Sequence, residues 1–178
     1  MPGMIDSHMH NVGHPAPRRD LLLGGVTSVC DLGSALAYMP AFEERTYFQD
    51  PVARGFKAGP IITVPGGLPG KYSGVDINYE VATPEEARAA VIDLKTRGAD
   101  VIKIYLEPYQ DVARTTSYPM LSQEQVNAIV DEAHQQGLIV RAHVTTTTAL
   151  EIALAGGVDV IEHEPVVDLT ADELASIM

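Results

Sequence analysis

Histidine and lysine side chains recur near the ends of apolar, strand-like segments of this chain. His8 and His10 close the segment MIDSHMH, Lys103 lies in VIKIY, His143 in LIVRAHV and His163 in VDVIEHE. Histidine is the most common metal ligand in proteins, and residues two apart on a strand project from the same face. The set therefore indicates a metal site. Taken singly, a strand histidine is more often a satisfied core residue, and a strand lysine can extend to solvent.

Lys103 needs a separate argument before it can count as a ligand. A lysine with its ordinary pKa of about 10.4 is an ammonium without a lone pair. Burial or a nearby positive charge would lower that pKa and leave a neutral amine. A neutral amine can react with carbon dioxide to form a carbamate, and the two carbamate oxygens can bridge two cations. Lys103 is therefore a candidate bridging ligand.

A repeated helix–strand unit must position these side chains. Thr83 to Glu86 and Ser122 to Gln125 are capping boxes that predict two helix starts, and Gly98 and Gly137 predict the helix ends. The strand-like segments ADVIKIY and LIVRAHV follow those glycines. The segment TTTTALEIALAGG predicts a shorter helix before VDVIEHE, and a further helix is expected to begin at Thr170.

The number and order of the strands predict the fold class. GMIDSHM, VTSVCDL and GPIITVP predict three earlier strands, which makes about six. Strands that alternate with helices predict right-handed crossovers and a parallel sheet, either in a (β/α) barrel or in an open doubly wound fold. Chemistry that collects at the carboxyl ends of several strands favours the barrel. We therefore expect an α/β fold: an incomplete TIM-like (β/α) barrel with its helices outside, in one domain over residues 1–178.

Composition and charge exclude several classes of partner. With 12 basic and 24 acidic residues, the formal charge is −12, which repels nucleic-acid phosphates and anionic membrane surfaces. Cys30 is the single cysteine and lies within VTSVCDL, so we expect a buried thiol and no disulfide framework. The first residues do not resemble a secretory signal, and LLLGGVTSVCDL is too short and interrupted to span a membrane. We expect a cytoplasmic protein.

Four segments resemble the amidohydrolase superfamily, close to its imidazolonepropionase-like and prolidase-like branch. They are PGMIDSHMH, GVTSVCDLG, GADVIKIY and IVRAHVTTTTALEIALAGGVDVIEHE, and the resemblance covers nearly the whole chain. It implies that His8 and His10 hold one metal, that His143 and His163 hold a second, and that carboxylated Lys103 bridges the two. Zinc is the first choice of metal, and manganese, iron and cobalt remain open.

The resemblance also implies an activity and a class of substrate. The family hydrolyses amide and related C–N bonds, with the metal pair activating water and polarising the scissile carbonyl. This branch suggests small-molecule substrates such as dipeptides or cyclic amides. Tyr105 and Arg141 are the expected substrate-binding residues. The run Thr145 to Thr148 could also shape that site, although capping of the following helix is the simpler reading.

Two departures from the family qualify these expectations. The family's β-sandwich segment before PGMID and its barrel strands seven and eight are expected to be missing, and strand eight carries the aspartate that acts as general base. Asp168 and Asp172 follow His163 too closely to replace it. We therefore expect no general base in the chain. Activity would require the missing strands from elsewhere, by homo-oligomerisation or by pairing with a chain that completes the barrel. The alternative function is a non-catalytic metal-binding or assembly module.

Three further features are expected to lie outside the metal site. His14, in the Pro-rich loop NVGHPAP, and His134, on a helix, are more simply explained as surface residues than as ligands. GGLPG, at residues 66–70, predicts a turn-rich loop that contains no ligand.

Overall fold

The computed structural model describes residues 2–43, 51–72, 74–109 and 116–163. These residues form an incomplete (β/α) barrel, in which parallel strands make the wall and helices cover its outer face. The fold class predicted from the sequence is confirmed. The helix predicted to begin at Thr170 lies outside the described residues, as do Asp168 and Asp172. No helix in the described part of the chain is long and apolar enough to cross a membrane.

The six predicted strands are all present and pair in parallel: β1 (Met4–Met9), β2 (Val26–Asp31), β4 (Ile61–Thr63), β8 (Ile102–Leu106), β9 (Val140–Val144) and β10 (Val160–Glu162). Four short strands were not expected: β3 (Arg54–Lys57), β5 (Lys71–Tyr72), β6 (Val75–Asp76) and β7 (Asn78–Glu80). The helices are α1 (Pro15–Leu23), α2 (Pro84–Thr96), α3 (Gln123–Gln135) and α4 (Thr147–Ala155), with a 3₁₀ helix at Leu36–Glu43.

The third strand of the barrel wall is divided into β3 and β4. The strand orders are β1-β2-β3 in one sheet and β7-β4-β8-β9-β10 in a second, and β5 and β6 form a separate antiparallel pair. Gly59, with φ +76°, lies between β3 and β4 and allows the chain to change direction there. Asp100 ties the division to the start of β8, because its carboxylate accepts the Lys57 N–H at 3.0 Å and its own N–H donates to the Lys57 carbonyl at 2.8 Å.

Both predicted capping boxes begin helices where the sequence indicates. Thr83 accepts the Glu86 N–H at 3.2 Å, and the Glu86 carboxylate reaches one residue further back, to the N–H of Ala82, at 2.6 Å. Ser122 and Gln125 make both reciprocal bonds of the box. These bonds satisfy N–H groups that have no partner within the helix, and so fix the starts of α2 and α3.

The Pro-rich segment NVGHPAP is not wholly a loop, contrary to expectation. α1 begins at Pro15, and His14 occupies the position that precedes the first helical residue. Proline costs no hydrogen bond at the first helical position, because the N–H of that residue would have no partner within the helix. His14 is nevertheless exposed, as predicted.

Alternation along the barrel strands separates the core from the site. Ile102, Ile104 and Leu106 of β8 are fully buried in the main hydrophobic cluster, together with side chains of α2 and α3. Lys103 and Tyr105 alternate with them and face the opposite side of the strand. The outward face of the wall therefore supplies packing, and the inward face is available for chemistry.

Candidate functional site

The four histidines singled out in the sequence lie together in the structure. The ring centroid of His8 lies 5.4 Å from that of His10 and 4.9 Å from that of His163. The centroid of His163 lies 4.6 Å from that of His143. The rings come from the carboxyl ends of β1, β9 and β10, so the fold assembles a cluster from distant parts of the sequence.

His163 reaches this cluster through an uncommon backbone conformation. Glu162, the last residue of β10, pairs in register with His143 and faces the same side. Regular alternation would turn the next side chain away. His163 instead has φ +74°, and Asn11, directly after His10, has φ +61°. These are the two non-glycine residues with positive φ in the described part of the chain. Such conformations are uncommon and often occur at functional sites.

Lys103 is buried without a hydrogen-bond partner for its amine. The residue is 2% exposed, and its Nζ contacts no acceptor among the described residues. Burial lowers the pKa of Lys103 from 10.5 to about 8, with the charge of Glu162 opposing this shift and that of Arg141 adding to it. A substantial fraction of the amine is therefore neutral near physiological pH, as a bridging ligand requires.

Glu162 is a site residue that the sequence analysis missed. Its Oε1 accepts a hydrogen bond from Arg141 Nε at 2.5 Å, and its Oε2 lies 2.6 Å from His8 Nδ1. The sequence signal was available, because period-two alternation along β10 places Glu162 on the face that β9 uses for His143. Arg141 is 8% exposed and engaged in this pair, and its contact with substrate stays a prediction.

Tyr105 stacks on one of the candidate ligands. The rings of Tyr105 and His143 lie 4.0 Å apart at an interplanar angle of 8°, because the two residues are in register on β8 and β9. Burial, together with the charge of Glu107, raises the pKa of the Tyr105 phenol to about 12. The hydroxyl group therefore stays protonated at neutral pH and can donate a hydrogen bond. Its predicted role in substrate binding is not tested by this geometry.

Glu107 fixes the loops that follow β8 and β9. Its buried carboxylate accepts the N–H of Tyr109 at 3.1 Å and that of Thr145 at 3.2 Å, and it also accepts the Thr145 hydroxyl. Thr146 caps α4 by accepting the Ala149 N–H. The threonine-rich run thus serves local structure, and its interpretation as a helix cap is confirmed.

The pKa shifts favour histidines with free lone pairs. Burial lowers the pKa of His143 to about 3, and the neighbouring His163 and Lys103 add to the shift. Burial and the charge of Lys103 also lower the pKa values of His8 and His163. At neutral pH these imidazoles are therefore uncharged, which is the form that binds metal.

The donor set fits a divalent metal centre. Neutral imidazoles lie within electrostatic range of the buried Lys103 amine, which has no hydrogen-bond partner among the described residues. Histidine nitrogen suits zinc and its neighbours in the transition series. In residues 2–43, 51–72, 74–109 and 116–163, no three His, Cys, Asp or Glu side chains already form a group that could hold an ion. The structure thus assembles the donors, and the ligand roles of His8, His10, Lys103, His143 and His163 stay predictions.

Three other features considered in the sequence stay outside the set of candidate ligands, although Cys30 interacts with Arg141. Cys30 is buried, and burial raises the pKa of its thiol to about 11, so the thiol stays protonated. His134 is exposed and pairs with Asp159 at 3.0 Å. GGLPG contains two glycines with positive φ, Gly66 and Gly70, as a turn-rich segment requires.

Comparison with known proteins identifies the class. Residues 18–176 match the model of the amidohydrolase family. The chain belongs to the amidohydrolase family. No curated protein matches it.

Similar solved structures include proteins of the prolidase branch. A candidate prolidase from Bifidobacterium longum is 32% identical to this chain with a TM-score of 0.72. The match covers 99% of this chain and 42% of that structure. A prolidase complexed with N-methylphosphonate-L-proline is 28% identical with a TM-score of 0.69, and the match covers 94% of this chain and 49% of that structure. A Xaa-Pro dipeptidase with methionine bound in its active site is 28% identical with a TM-score of 0.71, and the match covers 98% of this chain and 51% of that structure. The chain spans about half the length of these structures.

Proposed function

We propose that the chain contributes the metal centre of a hydrolase that cleaves C–N bonds of small substrates, such as dipeptides or cyclic amides. One observation carries the proposal: the buried amine of Lys103, which has no hydrogen-bond partner in the described part of the chain, lies on the inward face of a barrel that also presents four clustered histidines. A structural lysine would have a carboxylate or a water-facing position. The family to which the chain belongs supports a hydrolase.

Five residues would hold two divalent metals in this proposal. His8 and His10 would bind one, His143 and His163 the other, and carboxylated Lys103 would bridge them. Zinc is the first choice. When bound, such a pair supplies a Lewis acid for the scissile carbonyl and an activated water for the attack.

Lys103 would become a metal ligand through reaction of its amine with carbon dioxide. Its neutral amine adds to the carbon of CO₂, a C–N bond forms, and the nitrogen releases one proton to solvent, which leaves a carbamate. A pKa of about 8 leaves roughly a tenth of the amine neutral at pH 7, far more than the ordinary lysine pKa allows. Burial of Lys103 therefore favours the modification before any metal binds.

The substrate would lie beside the aromatic ring of Tyr105. The Tyr105 phenol is protonated at neutral pH and could donate to a carbonyl or carboxylate of the substrate. The prolidase and Xaa-Pro dipeptidase among the similar structures support a dipeptide with proline as the first substrate to try. The net charge of −12 disfavours nucleic-acid substrates. A reducing, cytoplasmic location, favoured by the single cysteine, is part of this proposal.

We also propose that the barrel is completed by further strands, in a homo-oligomer or with another chain. β1 bonds to β2, and β10 bonds to β9, so each is an outer strand among those described. Ile5 on β1 is 74% exposed, and Leu23 at the end of α1 is 81% exposed. Exposed apolar side chains on or beside a strand with one free edge are an energetic liability that further pairing removes.

Hydrolysis of proline dipeptides tests the proposed function. We expect protein supplied with zinc and bicarbonate to release proline from Xaa-Pro dipeptides, and Lys103→Ala to lower the rate at least 100-fold. Lys95→Ala, at an exposed lysine near the end of α2, is the control and should keep the wild-type rate. Bound metal without turnover of any dipeptide or cyclic amide would contradict catalysis and favour the alternative, a metal-binding or assembly module.

A further inference from the structure

A chain of three side chains connects Arg141 to His8 through Glu162, and its first two members are buried. Arg141 Nε donates to Glu162 Oε1 at 2.5 Å, and His8 Nδ1 lies 2.6 Å from Glu162 Oε2. The two carboxylate oxygens are thus divided between the two partners. The side chains of Arg141 and Glu162 are 10% and 8% exposed and that of His8 is 25% exposed, so the Arg141–Glu162 pair lies largely out of contact with water.

The chemistry of the contact fixes the direction of the hydrogen bond at His8. Arg141 carries a guanidinium that is always charged, and it donates to Glu162 at 2.5 Å, so Glu162 is the acidic partner of an ion pair. A carboxylate in such a pair can only accept hydrogen bonds. The contact of 2.6 Å with His8 then requires the proton on Nδ1 of His8. In the neutral form of that ring, Nε2 carries the lone pair.

We propose that Glu162 and Arg141 are positioning residues for His8, holding its ring with Nδ1 protonated and Nε2 presented to a divalent metal. The inference rests on the proposed function, because it takes His8 as a metal ligand. Arg141 acts through Glu162: it orients the carboxylate that orients the imidazole. This role is separate from the substrate contact predicted for Arg141.

Two features of the site distinguish this role from simple structural pairing. A carboxylate that accepts from the far nitrogen of a ligating histidine fixes the tautomer and raises the basicity of the ligand. A buried ion pair that served only stability would be replaceable by apolar side chains at little cost. Glu162 contacts His8, which belongs to the histidine cluster, and an apolar pair would remove the acceptor that His8 needs.

The His134–Asp159 pair provides a matched control. It is also a histidine–carboxylate contact, at 3.0 Å, and Asp159 directly precedes β10, at the strand end opposite to Glu162. Asp159→Asn and Glu162→Gln both convert a carboxylate that contacts a histidine into an amide. One position directly precedes β10 and the other ends it. A third variant, Arg141→Met/Glu162→Met, removes both members of the buried ion pair and leaves no unpaired charge.

The first measurement is the nitrogen NMR spectrum of the His8 ring in metal-free protein. We expect wild-type His8 to be neutral and protonated on Nδ1, and Arg141→Met/Glu162→Met to shift the proton toward Nε2. A wild-type ring protonated on Nε2, or a tautomer unchanged in the double variant, would overturn the proposal. The wild-type spectrum decides the matter even if a variant does not fold.

The second measurement is zinc affinity, by competition with a coloured chelator. We expect Glu162→Gln and the double variant to bind zinc about 10- to 100-fold more weakly, and Asp159→Asn to stay within twofold of wild type. Equal affinities in all four proteins would overturn the positioning role. Failure of the wild type to bind zinc would instead contradict the proposed function, and the His8 tautomer in metal-free protein would still decide the inference.

Discussion

Lys103 and Arg141 lie opposite one another in register on β8 and β9, and their environments differ sharply. Arg141 donates to Glu162 at 2.5 Å, whereas the amine of Lys103 has no hydrogen-bond partner in the described part of the chain. Two buried cations therefore share one inward face, and the available carboxylate bonds to the arginine. Lys103 is left without a hydrogen-bonded carboxylate among the described residues, and this has measurable consequences.

Replacing Lys103 with methionine should stabilise the metal-free protein below pH 8. Burial lowers the pKa of Lys103 from 10.5 to about 8, so between these values the unfolded chain binds the proton and the folded chain does not. The free energy of unfolding should therefore rise with pH across this window, and below it the full cost of the buried charge applies. We expect Lys103→Met to stabilise the protein by roughly 3 kcal/mol at pH 7, and by little near pH 11.

Urea denaturation with chelator in CO₂-free buffer measures this difference. Lys95→Met, at an exposed lysine, is the control and should follow the wild type at every pH. Burial raises the pKa of the Cys30 thiol from 9.0 to about 11, which opposes the Lys103 effect above pH 9, so the decisive comparison lies below that pH. Parallel pH profiles for wild type and Lys103→Met would show that the amine is not buried as a charge.

Replacing Glu107 with glutamine should destabilise the loops that follow β8 and β9. The Glu107 carboxylate accepts from Tyr109 N–H, Thr145 N–H and the Thr145 hydroxyl, and a glutamine would present an NH₂ group to at least one of these donors. An unsatisfied buried donor costs about 1–3 kcal/mol, so we expect a loss of that size in the free energy of unfolding. Thermal or urea unfolding gives the value. Glu151→Gln, on the exposed face of α4, should change stability little, and equal midpoints for both variants would contradict the account.

The sequence predicted the parts of the fold that local rules control. The capping boxes at Thr83 and Ser122 set the starts of α2 and α3, and apolar runs bounded by glycine predicted the six parallel strands. β3 was missed, because RGFK is short and not apolar. α1 was missed, because the prolines of NVGHPAP suggest a loop, although proline is also common at the first position of a helix.

The candidate site was predictable in its residue types and not in its contacts. Strand position and histidine spacing identified the cluster of His8, His10, His143 and His163. The contact between His8 and Glu162 joins residues 154 positions apart, and no local pattern encodes such a pairing. The backbone of His163 could not be predicted either, since a left-handed residue after a strand has no signature without glycine or asparagine.

Self-association should depend on the exposed apolar surface of β1. We expect the purified protein to sediment as a dimer or larger species at micromolar concentration, because Ile5 is largely exposed on a strand that bonds to β2 alone among those described. Ile5→Ser should shift the distribution toward the monomer. Ile92→Ser, at an exposed isoleucine of α2, is the control and should leave it unchanged. A single monomeric species of the wild type, with no binding of a hydrophobic dye, would exclude this surface as an interface.

The metal content of wild type and Lys103→Ala tests the central claim most directly. Both proteins are to be equilibrated with zinc and bicarbonate, freed of excess metal, and analysed by elemental mass spectrometry. The account predicts about two zinc ions per wild-type chain, increased loading on addition of bicarbonate, and loss of bound metal in Lys103→Ala, because that variant lacks the bridging group. Equal metal content in the two proteins, or a wild type that binds no metal with bicarbonate present, would contradict it.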